Sequence, residues 1–291
     1  MKKKEFKIDG ETFNVWYWEG PKDGRVFHWA HANGFNGATY ENFLSRLSKY
    51  FHVYAWDGRL HGLSQNLAKP VDGRLYDGYS QDLIKIIDTI NSNHEKPVVL
   101  AGHSFGASLC VKAEASLRDK IECIILADPV FFTPLQRTAC RTLRFLGFKL
   151  PRNLYLSQNA LKRKNFWRNS AALLDEYSKK SLFKNWDEYS LKNYVKYGTT
   201  KQGNGIKLAC SPELESQIFR ESENTFLSNH IISLKTPTYI FSAQYGSPPS
   251  SKSAIWRSKY VIAKTRISGA NHFFPVERAA TFSEMIIELL C

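Results

Sequence analysis

A serine flanked by two glycines follows a strand-like run in VVLAGHSFGAS, residues 98–108. A chain that turns from strand to helix within one residue strains that residue and brings the residues two before and two after it together, so only small ones fit. Gly102 and Gly106 meet this demand around Ser104. Since helical periodicity begins near Phe105, the pattern predicts a nucleophilic serine at a helix N-terminus, where free amides favour a developing negative charge. The alternative is a structural serine in a tight turn.

Strand-like and helix-like segments alternate through the first 130 residues, which favours a mostly parallel sheet covered by helices. The predicted strands are residues 12–18, 25–30, 51–57, 97–103, 121–128, 236–243 and 260–267. The predicted amphipathic helices are residues 40–50, 78–90, 106–118 and 276–290.

Residues 131–230 interrupt this alternation with a largely helical, aromatic-rich stretch. Within it, Ser211 is a candidate N-cap with Pro212 at the first helical position. We therefore predict a core of residues 1–130 and 231–291, with residues 131–230 inserted between strands as a helical cap, or lid.

Positive charge is concentrated in the predicted cap, although the whole chain already carries a net +13. Residues 129–174 contain no acidic residue and nine basic ones: Arg137, Arg141, Arg144, Lys149, Arg152, Lys162, Arg163, Lys164 and Arg168. Such a stretch favours an anionic ligand or peripheral contact with an anionic membrane, and a solvated basic face explains it equally well. Without a recognised nucleic-acid-binding motif, no nucleic acid is expected.

Cysteine usage and hydropathy bear on compartment. The five cysteines lie at unrelated spacings without a CxxC pair, which indicates neither a disulfide framework nor a zinc site. The N-terminal MKKKEFKIDG lacks the apolar stretch of a signal peptide, and no segment approaches the ~20 apolar residues of a membrane span. We expect a reduced, cytoplasmic protein. Metal-binding and dinucleotide motifs are missing from the sequence, so no cofactor or metal is expected.

A serine hydroxyl needs a base to remove its proton, and that base is expected after the last strand. His272 in ISGANHFFPVE occupies this position, between a small-residue turn and the last helix. The alternative is a surface-loop histidine. Four other histidines lack such a context and are interpreted as structural: His28, His52, His94 and His230.

The oxyanion of acyl transfer needs two amide donors, one after the nucleophile and one after the third strand. Phe105 supplies the first. In HWAHANGFNGATY (28–40), NGF directly follows a predicted strand, so Phe35 is the favoured second donor and Gly34 the next candidate. A plain β-turn explains the Asn-Gly pair in isolation.

The order of five segments resembles the α/β-hydrolase superfamily across nearly the whole chain: HANGFNG (31–37), DGRLHGLS (57–64), GHSFG (102–106), LADPV (126–130) and GANHF (269–273). HANGF together with LACSPELES (208–216) is similar to a group of hydrolases related to the peroxisomal lipases. The resemblance implies the α/β-hydrolase fold and a serine hydrolase. Where the superfamily usually has DxRGHGxS, this chain has Leu60 in place of the glycine, and we interpret Asp57 and Arg59 as residues that tie this loop.

The superfamily's catalytic triad consists of a serine, a histidine and a carboxylate that orients the histidine, and this chain departs from the usual place of the carboxylate. IFSAQYGSPPSS (240–251) contains no carboxylate, although the acid is expected near Tyr245. A variant within the superfamily places the acid after the strand that precedes the lid, where this chain has Asp128. Asp128 is therefore the predicted third member, and the alternative is an aspartate that only terminates a strand before a turn.

Together these features predict an esterase-like or lipase-like enzyme that cleaves a small-molecule carboxylic ester or thioester with an apolar acyl group, the remainder of the substrate being anionic. Two alternatives stay open. One is a carbon–carbon bond hydrolase or acyltransferase that uses the same residues. The other is a catalytically silent binding protein on the same scaffold.

Overall fold

The computed structural model describes residues 1–68, 74–132, 134–146, 156–222, 227–246 and 258–291. The strands are β1 (Lys2–Ile8), β2 (Glu11–Trp18), β3 (Arg25–Ala30), β4 (Phe51–Trp56), β5 (Val98–His103), β6 (Ile121–Ala127), β7 (Thr199–Gln202), β8 (Gly205–Leu208), β9 (Thr238–Ala243) and β10 (Val261–Ile267). The α-helices are α1 (Glu41–Leu47), α2 (Leu75–His94), α3 (Phe105–Leu117), α4 (Pro134–Phe145), α5 (Leu156–Leu161), α6 (Ser170–Ser178), α7 (Glu188–Tyr197), α8 (Pro212–Ser222), α9 (Leu227–Ile232), α10 (Phe274–Glu277) and α11 (Ala279–Leu290).

In the described part of the chain, the main sheet has eight strands in the order β1-β2-β4-β3-β5-β6-β9-β10. β2 pairs antiparallel with β1 and with β4, and all other neighbours are parallel. The carboxyl ends of β3, β5, β6, β9 and β10 therefore lie at one edge of the sheet, where ligands of open α/β sheets bind. The predicted fold class, a mostly parallel sheet flanked by helices, is confirmed.

Apolar side chains pack on both faces of the sheet, which explains why its central strands read as continuous apolar runs. All six residues of β5 are buried. Leu83 of α2 and Leu109 of α3 belong to the cluster on one face. On the other face, Phe43 of α1 and Phe282 of α11 lie 4.9 Å apart between ring centroids.

One strand and one hairpin differ from the sequence-based expectations. β1 was not among the predicted strands because its lysines conceal the alternation of the buried Phe6 and Ile8; lysines suit an edge strand, since they oppose pairing with another chain. In the predicted helical cap, β7 and β8 form a polar hairpin around Gly203 and Asn204. A two-residue turn of this kind favours a hairpin over a helix.

The described α-helices and strands between β6 and β9 are α4 to α9 and the β7–β8 hairpin, and α9 runs two residues beyond the predicted cap, residues 131–230. Below, the cap means this segment between β6 and β9. The predicted start of α8 is confirmed: the helix begins at Pro212, and the Leu214 N–H donates to Ser211 Oγ at 3.2 Å. Within the described segments, no helix combines the length and apolarity needed to cross a bilayer.

Candidate active site

Ser104 stands in a sharp turn between β5 and α3. Its φ of 53° and ψ of −111° are strained for a residue with a side chain. A Cβ on Gly102 would lie 2.6 Å from the Gly106 carbonyl carbon, and a Cβ on Gly106 would collide with the Ala30 carbonyl. Larger residues are therefore excluded at both positions, as the sequence predicted.

His272 links Ser104 to Asp128 through its two ring nitrogens. Its Nε2 lies 3.0 Å from Ser104 Oγ, and its Nδ1 lies 2.6 Å from Asp128 Oδ2. A carboxylate accepts hydrogen bonds and donates none, so the proton between His272 and Asp128 is carried by Nδ1. Nε2 is then free to accept a proton from the serine hydroxyl. This arrangement can generate a nucleophile.

Asp128 directly follows β6, beside the strand that follows the cap. Its N–H donates to the Phe241 carbonyl of β9 at 2.7 Å, and its Oδ1 accepts from the Ala243 N–H at 3.4 Å. The carboxyl end of β6 therefore brings a carboxylate to the place usually supplied from β9. Tyr245 lies beyond β9 and is 61% exposed, and residues 247–251 of the carboxylate-free segment fall outside the described residues.

His103, which sequence reasoning passed over, holds the backbone of His272. Because a carbonyl only accepts, His103 Nε2 donates to the His272 carbonyl at 2.8 Å and its Nδ1 accepts from Tyr40 Oη at 2.9 Å. Tyr40 Oη in turn accepts from the Ala32 N–H at 3.1 Å. Complete burial holds the pKa of His103 well below its usual range, so the ring stays neutral. Only its position next to Ser104 could have indicated this role.

The two favoured oxyanion donors differ in their surroundings. Phe105 is the first residue of α3, so its N–H has no intrahelical acceptor. The Phe35 N–H donates to the Ala32 carbonyl at 3.1 Å, and that carbonyl also accepts the closer His31 Nδ1–H at 2.7 Å. Since His31 satisfies the carbonyl, the Phe35 N–H can be shared with an oxyanion without leaving an acceptor empty.

The other candidate, Gly34, is covered from the cap side, since a Cβ on it would lie 3.2 Å from Glu215 Oε1 and 3.5 Å from Arg163 Nη1. The φ of Gly34 is +75°, a conformation that favours glycine. Between the two candidates, the geometry therefore favours Phe35.

Aromatic rings from cap and core surround the side chain of Phe35. The ring of Phe273, next to His272, stacks on it at 5.9 Å between centroids. Trp186 and Tyr194 of the cap approach it at 5.4 and 5.3 Å. These contacts place an apolar wall beside the candidate triad.

Asp57, interpreted from sequence as loop-tying, is buried and accepts four hydrogen bonds of 2.8 to 3.0 Å. The donors are Asn14 Nδ2, Trp16 Nε1, Gly37 N–H and Leu63 N–H. Arg59 forms a two-bond pair with Asp82 at 2.8 and 2.9 Å. Leu60 adopts the φ of 59° that the superfamily's usual glycine provides more readily.

Four other histidines take no part in the hydrogen-bonded chain of Ser104, His272 and Asp128. His52 Nδ1 lies 2.8 Å from Tyr17 Oη, and His94 Nε2 lies 2.7 Å from Tyr54 Oη. Neither ring nitrogen of the buried His28 has a described partner, and His230 is half-buried in α9. Over the described ranges, no three His, Cys, Asp or Glu side chains are grouped to hold a metal.

Comparison with known proteins assigns the chain to a family. The family model described as serine aminopeptidase, S33 (Hydrolase_4), matches residues 25–186, more than half of the chain. The chain belongs to this family. It is thus a member of a serine hydrolase family, and its relation to the α/β-hydrolases is confirmed.

Among curated relatives, the 2-(acetamidomethylene)succinate hydrolase of Mesorhizobium japonicum is 34% identical over 115 residues. The match covers 40% of this chain and 38% of that protein, so it spans well under half of the relative's length. A solved E-2-(acetamidomethylene)succinate hydrolase superposes with a TM-score of 0.78 at 20% identity, covering 99% of this chain and 98% of that one. The peroxisomal α/β-hydrolase Lpx1 of Saccharomyces cerevisiae superposes with a TM-score of 0.73 at 18% identity, covering 96% and 81%. These likenesses show the α/β-hydrolase fold.

Proposed function

We propose that this S33 family member cleaves a small-molecule carboxylic ester or thioester through a covalent acyl-enzyme. The observation that carries the proposal is the hydrogen-bonded chain from Ser104 Oγ through His272 to Asp128. Its distances of 3.0 and 2.6 Å are those of a nucleophile, its base and a group that orients the base.

Each proton has a named place in the proposed reaction. Ser104 Oγ attacks the acyl carbonyl while His272 Nε2 takes the hydroxyl proton, and the imidazolium then gives that proton to the leaving oxygen or sulfur. Water, deprotonated by the same nitrogen, attacks the acyl-serine, and the imidazolium returns the proton to Ser104 Oγ as the acid leaves. Asp128 stays ionised throughout and stabilises the imidazolium.

The developing oxyanion is held by the N–H groups of Phe105 and Phe35. Phe105 adds the positive end of the α3 dipole. His31 supports the second donor, because its bond to the Ala32 carbonyl lets the Phe35 N–H turn to the oxyanion.

An apolar acyl group is favoured by the aromatic wall of Phe35, Phe273, Trp186 and Tyr194. The basic cap residues favour an anionic remainder of the substrate or an anionic membrane surface as a peripheral contact. Arg163 is already paired with Glu215 and Lys164 with Glu176 at 3.0 Å, so these two cations are partly neutralised; Lys149 and Arg152 lie outside the described residues.

The catalytically silent alternative loses its supporting feature, because Asp128 occupies the place of the carboxylate missing after β9. Carbon–carbon bond hydrolysis and acyl transfer use the same residues and are separated from ester hydrolysis only by substrate.

A chain-length series of p-nitrophenyl esters tests the proposal, together with labelling by a fluorophosphonate probe. The wild type is expected to hydrolyse the esters and to be labelled, and Ser104→Ala and His272→Ala are expected to abolish both. Ser108→Ala is the matched control, because Ser108 lies one turn further along α3 and its Oγ bonds the Ser104 and Val130 carbonyls. A p-nitroanilide of the best acyl group separates ester from amide cleavage. A folded wild type that is neither active nor labelled would contradict the proposal.

A further inference from the structure

The oxyanion loop, residues 31–37, is held from the cap side by α8. Asn33 Nδ2 donates to the backbone carbonyl of Glu215 at 3.0 Å. The residue two positions before Phe35 is therefore fixed by a cap residue far away in sequence.

A buried ion pair covers the same point of the loop. A Cβ on Gly34 would lie 3.2 Å from Glu215 Oε1 and 3.5 Å from Arg163 Nη1. The Arg163 guanidinium donates to the Glu215 carboxylate, and the two side chains are only 24% and 10% exposed. The pair therefore packs directly against Gly34, which has no side chain to hold it away.

The guanidinium of Arg163 also connects the loop to the aromatic wall. Its Nη2 donates to the hydroxyls of Tyr177 and Tyr194, each at 3.0 Å. The ring of Tyr194 packs on Phe35, and its backbone carbonyl accepts from Asn36 Nδ2 at 3.4 Å. The residues before and after the second oxyanion donor, and its own side chain, are thus tied to one cap network.

A buried ion pair is weak evidence for stability, because desolvating two charges opposes their attraction, and a well-packed apolar pair would join cap and core as well. What the pair and its hydrogen bonds provide is a fixed geometry. We infer that Glu215 and Arg163, together with the Asn33–Glu215 hydrogen bond, are positioning elements that orient the Phe35 amide for the oxyanion, so that the cap must be seated before the oxyanion site is complete. This inference rests on the proposed function.

Glu215→Gln tests the inference, because glutamine keeps the shape of the side chain and removes the charge that holds Arg163. We expect kcat for the best p-nitrophenyl ester to fall by a factor between about 10 and 10², with KM nearly unchanged. The upper value is the loss caused by removing a whole oxyanion donor. The affinity of a trifluoromethyl ketone, whose adduct with Ser104 places an oxyanion in the same site, should fall by the same factor. A purely structural role would change the melting temperature without this parallel.

Two further comparisons keep the result decisive. Glu176→Gln is the matched control, because Glu176 pairs with Lys164 in the same cap without contacting the loop, and it should retain wild-type kcat. Asn33→Ala removes the donor to the Glu215 carbonyl and leaves the ion pair intact, whereas Asn33→Gln keeps a side-chain amide donor. We expect alanine to lower kcat and ketone affinity together and glutamine to recover part of both.

The outcomes also separate this inference from the proposed function. An active wild type whose Glu215→Gln and Asn33→Ala variants keep full kcat and ketone affinity overturns the inference alone. If Glu215→Gln does not fold, the comparison of alanine with glutamine at Asn33 decides. A folded wild type without turnover or fluorophosphonate labelling overturns both.

Discussion

His103 Nε2 donates to the backbone carbonyl of His272 across 2.8 Å, so the residue before the candidate nucleophile fixes the position of its candidate base. The two imidazole rings also pack at 4.9 Å between centroids. Ser104 and the His272 loop therefore share one rigid support at the end of β5.

Replacing His103 with alanine should lower kcat by about 10- to 100-fold with little change in KM, because small misplacements of a base carry costs of about this size. Steady-state ester kinetics measure both parameters. His103→Gln retains a side-chain N–H donor and should recover part of the loss. Wild-type kcat in His103→Ala would show that the His272 loop holds its position without this bond.

Asp128→Asn should lower kcat on the order of 10³ to 10⁴, because the amide favours the wrong tautomer of His272. Fluorophosphonate labelling should slow in parallel. Asp119→Asn is the matched control: this residue is exposed in the turn before β6 and should leave both rates unchanged. A near-normal rate in Asp128→Asn would remove Asp128 from the triad.

Asp57→Asn should destabilise the fold by about 3 kcal/mol. The asparagine amide NH₂ would face N–H donors that now donate to the carboxylate, and those donors would lose their acceptor. Urea unfolding measures this loss, and fluorophosphonate labelling of the folded fraction should persist. Asp88→Asn, which breaks the exposed pair with Lys120, should cost less than about 1 kcal/mol. Complete loss of labelling in a folded Asp57→Asn protein would instead indicate a catalytic role.

Acid should destabilise the protein through four buried histidines. Burial lowers the pKa of His28 and His31 to about 3, that of His61 to about 4 and that of His103 well below the ordinary 6.5. Below pH 6.5 these histidines bind protons in the unfolded chain but not in the folded chain. The free energy of unfolding is therefore at its full value above about pH 7 and decreases as the pH falls. Burial raises the pKa of Asp57 to about 6, so below pH 6 the folded chain holds one extra proton, which offsets the effect of one of the four histidines.

For these five groups the net difference of about three protons corresponds to a loss of about 4 kcal/mol per pH unit near pH 5. Urea unfolding at pH 7, 6 and 5 measures this slope. His28→Leu should reduce it by about 1.4 kcal/mol per pH unit, because neither nitrogen of His28 has a described partner to lose. An unchanged slope would show that His28 is protonated in the fold.

The sequence predicted the fold class because parallel α/β architecture is recorded in local patterns: continuous apolar strands, amphipathic helices and the strand–serine–helix turn at Ser104. β1 was missed because four lysines obscure its alternation, and the β7–β8 hairpin was missed because its strands are short and polar. Strand order and register depend on pairing between distant segments, which local periodicity does not record.

For the candidate site, the sequence by itself determined which residue types stand where the chain changes direction: Ser104 between glycines, His272 before the last helix and Asp128 at the end of β6. Only the tertiary structure decided which carboxylate meets the imidazole, because that depends on β6 lying beside β9. It also decided that His103 supports His272 and that Arg163, one of nine basic residues in an acid-free stretch, is buried against Glu215. Such contacts join residues 50 to 170 positions apart, and the free energy that fixes them arises only when the whole core has packed.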